Sequence, residues 1–379
     1  MRTWSILCVA VLVCRTVLTE EVGTELKLLH VVYRHGLRTP ADTYPNDPYL
    51  HHDFAPYGWG QLTNEGKMSQ FKQGEYLRKR YDKFLGEIYS PDLIEVLTTG
   101  VDRTIMSAQL EMAGMWPPSA EQEWNPELRW QPTSIKSIPL NEDRLLLVRI
   151  PCPKYYMELE YVRNSSEIQC IIEDMGGSTE LFQELSDKTG LKISTPDDIL
   201  SLYGTLKAEE DFNLTLPEWT KSYYPEKLEP LAKFSFELNA YNEEMKTIKG
   251  GPLLKKIIED SQCKINGENK HKVHMYTGHD STIANVLITL GVWDSQIPEY
   301  DIMVLFELRQ DPETNEYGMK IFLRNSTSHD PYSLTVPDCE NFCPFSQFVD
   351  LVKDVIPEDL DTFCEVDDPN YVPPPPPPP

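Results

Sequence analysis

The sequence predicts an α/β fold, with a three-layer core around a mostly parallel sheet and a mainly helical cap inserted into it. Three observations lead there. Short apolar runs rich in β-branched residues recur, and each is followed, across a loop bearing a charged or imidazole group, by apolar residues at helical spacing. A long middle stretch loses the strand signal. The chain, at 379 residues, is also long enough for a large core with more than one layer or lobe.

The first run, Leu26 to Tyr33, ends at Arg34-His35-Gly36 and reads as a buried strand feeding a loop. Thr63 suits the cap of a helix whose apolar positions Met68, Phe71, Leu77, Tyr81 and Phe84 recur at roughly helical spacing. Ile94-Glu95-Val96-Leu97-Thr98 reads as a second strand, and Asp102-Arg103 opens a helix with Ile105, Met106, Leu110 and Ala113 on its apolar side. A third strand, Lys272 to Thr277, leads into Gly278-His279-Asp280; the helical pattern at Ile283, Val286, Leu287 and Leu290 then stops at Gly291. Such alternation argues for a sheet whose ligands lie outside the carboxyl ends of its strands.

Between about Trp130 and Leu238, segments such as Asp197 to Leu206 and Pro230 to Met245 read as helices and loops. The expected organisation is therefore a core over 22–129 and 239–366, a helical cap over 130–238, and a disordered polyproline tail over 367–379.

Residues 1–19 have the charged start and short apolar run of a secretory signal peptide. That run is too short to span a bilayer, and no later stretch reaches ~18 apolar residues, so a secreted, extracellular protein without a stable membrane anchor is expected. Cys8 and Cys14 leave with the signal. The remaining Cys152, Cys170, Cys263, Cys339, Cys343 and Cys364 form an even set suited to an oxidising compartment, and spacing alone leaves their pairing open. Cys339 and Cys343 are close enough to close a small loop. Sequons at Asn164, Asn213 and Asn325 fit the same route.

A net charge of -25 argues against nucleic acid or an anionic membrane as partner. Against that background a local arginine cluster points to an anion site. Arg34 and Arg38 flank His35 at a spacing that lets a curled loop aim both guanidiniums at one oxyanion, and planar forks suit phosphate oxygens. Gly36 removes a Cβ where the backbone turns sharply. Arg103 falls at a helix start, where amide groups also attract anions. Neighbouring arginines should depress the His35 pKa and keep the imidazole neutral and nucleophilic in mild acid. Phosphoryl transfer needs charge neutralisation, a nucleophile and a proton for the leaving oxygen, and these strand ends offer candidates for each. Structural alternatives stand beside these readings. Arg34 and Arg38 could pair with Asp42 or Asp47, Asp280 could cap a helix, His279 could be a satisfied core histidine, and Arg103 could neutralise a carboxylate.

The stretch Arg34-His35-Gly36-Leu37-Arg38-Thr39-Pro40 resembles the RHGxRxP signature of the histidine acid phosphatases, which include the prostatic and lysosomal enzymes. The resemblance continues through Tyr57 to Thr63, Gly74 to Tyr81, Asp102 to Ala108 and Gly278-His279-Asp280, and so covers most of the chain. It implies a phosphoglycerate mutase-like core and hydrolysis of small phosphate monoesters through a phosphohistidine, with no cofactor. His35 would be the nucleophile, Asp280 the proton donor, and Arg34, Arg38, Arg103 and His279 the phosphate ligands. It also implies disulfides Cys152–Cys364 and Cys339–Cys343, which leaves Cys170 with Cys263 by elimination. Pro298-Glu299-Tyr300-Asp301-Ile302, taken as the strand after the His-Asp motif, lacks the cysteine that vertebrate relatives carry there. The relatives' homodimers make the same assembly an expectation, and the absence of a C-terminal anchor fits a secreted, venom-type insect member.

His51-His52-Asp53 and the pair His271/His274 invite a metal reading, but without paired carboxylates or tight Cys/His spacing no metal is expected. A phytase would need more lysines and arginines around its pocket than this acidic chain suggests. A catalytically dead binder of phosphorylated ligands is the reading from another class, and the intact His35 and Asp280 count against it.

Overall fold

The computed structural model describes residues 23–368 and 370–374; the expected signal peptide and the end of the proline run lie outside the described residues. The first strand, β1 (Glu25–Arg34), is buried from Leu28 onward because both of its faces are covered. Helix α1 (Asn64–Arg80) starts at Thr63, whose side chain accepts from the Gly66 N–H at 3.0 Å. One further turn, α2 (Asp82–Leu85), precedes β2 (Ile94–Thr99) and α3 (Asp102–Met115). Helices α1 and α3 touch backbone to backbone, since a Cβ on Gly74 would lie 2.1 Å from the Glu111 carbonyl oxygen. The short β3 (Lys136–Ile138) follows.

Helices then dominate: α4 (Pro153–Asn164), α5 (Ser166–Asp174), α6 (Thr179–Thr189), α7 (Pro196–Asp211), α8 (Glu229–Asn239) and α9 (Glu243–Lys249). They enclose their own apolar cluster, including Leu159, Leu185, Ile199, Leu206 and Leu231. Tyr44, from the loop that follows the Arg34–Pro40 segment, packs into this cluster, and the Asn46 N–H bonds the Thr189 carbonyl at 3.0 Å. The chain returns through α10 (Gly251–Ile265), β4 (Val273–Gly278) and α11 (Asp280–Thr289), which gives way to Gly291 at φ +70°. Strands β5 (Met303–Gln310), β6 (Tyr317–Arg324), β7 (Tyr332–Leu334) and β8 (Cys343–Pro344), with α12 (Phe345–Val352) and α13 (Leu360–Phe363), complete the fold.

The strand order is β3-β2-β4-β1-β5-β6-β7, with β8 pairing β6. Leu77 of α1, Tyr81 just after it, and Ala108 and Met112 of α3 cover Val31, Tyr33 and Met275 on one face. Leu254, Ile257, Ile283, Val286 and Phe348 of α10 to α12 cover Leu28, Val32 and Tyr276 on the other. The core thus has three layers.

Four particulars differ from expectation. The sheet is mixed: β1 to β4 are parallel to one another, whereas β5 to β8 pair antiparallel. The strand-helix alternation that suggested a parallel sheet ends with β4 and α11, and β5 and β6 are joined by a short hairpin that needs no crossover helix. Strand β3 falls inside the stretch assigned to the cap, because three residues are too few to carry a period-two signal. Pro298–Ile302 is a turn and not a strand, with the Ile302 N–H bonding the Glu299 carbonyl. Finally, Cys152–Cys364 and Cys339–Cys343 are bonded, but Cys170 and Cys263 are free. Cys170 is exposed on α5 and Cys263 half-buried on α10, so elimination paired two thiols that folding does not bring together.

A buried carboxyl of α7, Glu209, faces Asp47 of the loop after β1. Burial, with Asp47 beside it, raises the pKa of Glu209 from its usual 4.5 to about 8. The folded chain therefore holds this proton more tightly than the unfolded chain, and its stabilisation is complete below about pH 4.5 and lost as pH climbs to 8. Thermal melts of Glu209→Gln should show a smaller decline in Tm from pH 5 to 8 than wild type; superimposable pH profiles would rule out this assignment.

Candidate active site

Strands β1 and β4 lie side by side and parallel, with Arg34 opposite Gly278. Their exits are therefore neighbours, and the His35 N–H bonds the Gly278 carbonyl at 3.2 Å. Strand β2 pairs with the other edge of β4, Thr98 opposite Thr277, and delivers Arg103 in the first turn of α3. Three distant segments thus converge at one end of the sheet.

The loop leaving β1 is pressed against α1. A Cβ on Gly36 would stand 2.5 Å from the Gly66 carbonyl oxygen, so glycine is required there. The Gly36 N–H donates to Ser107 Oγ at 3.2 Å. His35 Nδ1 lies 2.9 Å from the Gly36 carbonyl oxygen, which can only accept, so Nδ1 carries the proton and Nε2 the lone pair. Arg103 Nε donates to that Nε2 at 3.0 Å, and Arg103 Nη2 lies 3.4 Å from His279 Nδ1. His279 Nε2 meets Thr99 Oγ1 at 2.9 Å, and the two imidazoles stand 5.5 Å apart.

Arg34 is clamped from several sides. Its Nη2 pairs with Asp280 Oδ2 at 2.9 Å, its Nη1 donates to the Pro298 carbonyl, and its guanidinium lies 4.3 Å from the centre of the Tyr300 ring. Arg38 is half-buried and donates from Nη1 to the Thr39 carbonyl at 2.9 Å. The Nε atoms of Arg34 and Arg38 are buried with no protein partner.

Electrostatics follow from this crowding. Burial first, then the Arg103, Arg34 and Arg38 charges and His279, hold His35 well below the usual imidazole value. His279 is lowered well below it too, by burial and then Arg103. Burial and Arg38 pull Arg103 down to about 9, with Arg34 adding and Asp280 opposing. For Asp280, burial pushes the carboxyl up, but Arg34, His279 and the Ser281 amide outweigh it and leave the pKa lowered. The result is a neutral imidazole lone pair facing mutually repelling cations, an arrangement that a phosphate dianion would relieve.

The site brings together His35, Arg34, Arg103, His279 and Asp280, with Arg38 close enough to act on His35 and Arg103. Asp280 is the first residue of α11 rather than its cap; His279 holds the cap position. Sequence reasoning missed Thr99 and Tyr300. No periodic signal marks either, since Tyr300 reaches Arg34 only through the turn before β5.

The two histidine groups considered for metal lie elsewhere. His52 Nδ1 accepts from the Phe54 N–H at 2.9 Å in a local turn. Among the described residues, His30, Asp260 and His274 have ligand atoms within 4.8 Å of one another. Their imidazoles stack at 16° and 5.1 Å, however, so their in-plane lone pairs do not converge, and Lys256 Nζ already sits 2.7 Å from Asp260. Of the sequon asparagines, Asn164 and Asn213 are exposed and Asn325 is partly so.

The model of the family described as histidine phosphatase superfamily (branch 2) matches residues 25–323. The chain is 35% identical over 350 residues to a venom acid phosphatase, Acph-1, of Apis mellifera, covering 91% of this chain and 89% of that protein. It is 35% identical over 349 residues to prostatic acid phosphatase of Homo sapiens (90% and 89% covered) and 32% over 345 residues to human lysosomal acid phosphatase (90% and 80%). Among solved structures, the apo form of Hafnia alvei phytase superposes with a TM-score of 0.65 at 17% identity over 92% of this chain and 100% of that one, which shows a shared fold.

Proposed function

The chain belongs to branch 2 of the histidine phosphatase superfamily and hydrolyses phosphate monoesters as an acid phosphatase; we propose that it does so through a phosphorylated His35. The observation that carries this reading is the His35 Nε2 lone pair, held neutral and turned toward Arg103, with the Arg34 and Arg38 charges nearby. Arg34, Arg38, Arg103 and His279 would bind the phosphoryl oxygens, and Arg103 Nε would pass from Nε2 to an oxygen as substrate enters. Attack by Nε2 then breaks the ester P–O bond while Asp280 protonates the departing oxygen; Asp280 next takes a proton from the water that releases phosphate.

In the unliganded site Asp280 is ionised at mildly acidic pH, because Arg34 and its neighbours lower its pKa. A bound phosphate competes for Arg34 and adds negative charge, which raises that pKa again. Below about pH 6 the monoester also carries a proton of its own that it can pass to Asp280. Acidic activity follows from both.

The substrate class is a small monoester, and the net charge of -25 weighs against a polyanion such as inositol hexakisphosphate. The disulfides and the accessible sequon asparagines support a secretory route, and no helix among the described residues is long and apolar enough to cross a membrane. Expressed from Met1 in animal cells, the chain should reach the medium, lose mass on N-glycosidase treatment, and hydrolyse p-nitrophenyl phosphate near pH 5 in excess EDTA, with inositol hexakisphosphate a much poorer substrate. Activity abolished by EDTA and restored by a divalent cation would overturn the metal-free mechanism, and retention in the cell would overturn the route.

A further inference from the structure

Behind the loop that carries His35, against α1, lies a buried polar relay that none of the chemical steps above uses. Its centre is Asp301, 6% exposed and at φ +64°, a left-handed conformation uncommon for a residue with a side chain. Gln70 of α1 is fully buried, and its amide Nε2 donates both to Asp301 Oδ1 at 2.5 Å and to the Arg34 carbonyl at 3.2 Å. Ser69 Oγ donates to the same Oδ1 at 3.0 Å. The Asp301 N–H reaches the His35 carbonyl at 3.4 Å, and Gln73 Nε2 holds the Asp301 carbonyl at 3.0 Å. A Cβ on Gly36 would stand 2.9 Å from Gln70 Cγ, so this relay touches the loop directly.

We propose that Asp301 is a positioning residue for the reaction: its carboxyl, acting through the Gln70 amide on the Arg34 carbonyl, sets the direction in which Arg34 and His35 leave β1. The nucleophile's aim depends on that direction, because the hydrogen bonds of the His35 ring go to Gly36 of the same loop and to Arg103, and substrate must draw Arg103 away. Burying an acidic side chain in a left-handed position is costly, and ordinary packing gives no reason for it. The charged and titratable groups that face it are Arg34 from β1, Glu111 from α3 and Arg324 from β6, with Ser69, Gln70 and Gln73 of α1 the polar neighbours. Burial raises the Asp301 pKa to about 6, opposed first by Gln70 and Ser69 and then by Arg34 and Arg324. Near pH 5 the carboxyl is therefore largely protonated, and its carbonyl oxygen can still accept from Gln70. Toward pH 7 it becomes a carboxylate that draws on Arg34 and competes with phosphate for that charge.

This inference rests on His35 as nucleophile, and the variants separate the two. Asp301→Gly deletes the carboxyl while tolerating the left-handed backbone and keeping the N–H. We expect it to lower kcat at pH 5 roughly 10- to 100-fold while KM for p-nitrophenyl phosphate changes by less than about 3-fold. Asp301→Asn, which keeps the acceptor oxygen, should restore kcat at pH 5. Between pH 5 and 7 the ratio of wild-type KM to Asp301→Asn KM should grow. Gln70→Leu should reproduce the kcat loss, and the pair Asp301→Gly with Gln70→Leu should be no worse than either alone, as expected for one relay. Wild-type kcat in Asp301→Gly, failure of Asn to rescue, or additive losses would each reject the assignment; so would a drop in Tm with kcat unchanged. Rapid-quench trapping settles which claim has failed. No phosphoenzyme in wild type rejects His35, whereas equal rates of formation in wild type and Asp301→Gly reject only the role of Asp301.

Discussion

His35→Ala should abolish turnover, with kcat for p-nitrophenyl phosphate falling by about 10⁴-fold or more, as losses of covalent nucleophiles do elsewhere. No other described group offers a lone pair at this position: the nearest imidazole, His279, turns Nδ1 toward Arg103 and Nε2 toward Thr99. The alanine variant keeps Arg34, Arg38 and Arg103, so it should still bind inorganic phosphate. Affinity should even rise modestly, since removing the ring frees Arg103 Nε. The decisive pair of measurements is acid-labile phosphoenzyme by rapid quench and phosphate binding by calorimetry. Loss of the first with retention of the second is the expected pattern, and trapped phosphoenzyme in His35→Ala would disprove the nucleophile.

Asp280→Asn should produce the second largest effect, and one that depends on the leaving group. An alkyl phosphate needs its oxygen protonated as the bond breaks, so kcat should fall about 10²- to 10³-fold. p-Nitrophenolate leaves without help, and the phosphorylation step on that substrate should be nearly spared. The substitution also removes the carboxylate that pairs with Arg34 at 2.9 Å, so inorganic phosphate should compete more effectively with substrate. The acid dependence supplies an independent check. Because Asp280 has a lowered pKa in the free protein, wild-type kcat/KM should not lose its alkaline limb to free Asp280 ionisation, whereas kcat should report the raised value in the complex. Equal losses for alkyl and nitrophenyl substrates would exclude Asp280 as the general acid.

Much of this site could be read from local signals. The spacing of Arg34, His35, Gly36 and Arg38 after an apolar run implied a curled anion-binding loop at a strand end, and the structure shows that loop pressed against α1 and α3. Thr63 announced α1, and Gly291 marked the end of α11. Other features had no local signature. Strand β3 pairs through three residues, and β5 to β8 form their ladder from partners whose register is a matter of distant backbone. Gln70 and Asp301 look like an ordinary helix glutamine and an ordinary turn aspartate until folding places both behind Arg34.

By itself, then, the sequence determined the chemical inventory and its immediate settings: which residue types stand at the ends of β1, β2 and β4, and which turns and caps deliver them. Those depend on propensity, periodicity and side chains a few residues apart, all of which operate within one segment of chain. Only the tertiary structure decided that the three strand ends are neighbours, that Arg103 rather than another donor meets Nε2 of His35, that Arg34 ties down Asp280, and that Cys170 and Cys263 stay apart. Each of these results from strand register and layer packing between segments far apart in the chain. Their free energy comes from burying whole faces, and no short window of sequence contains both partners.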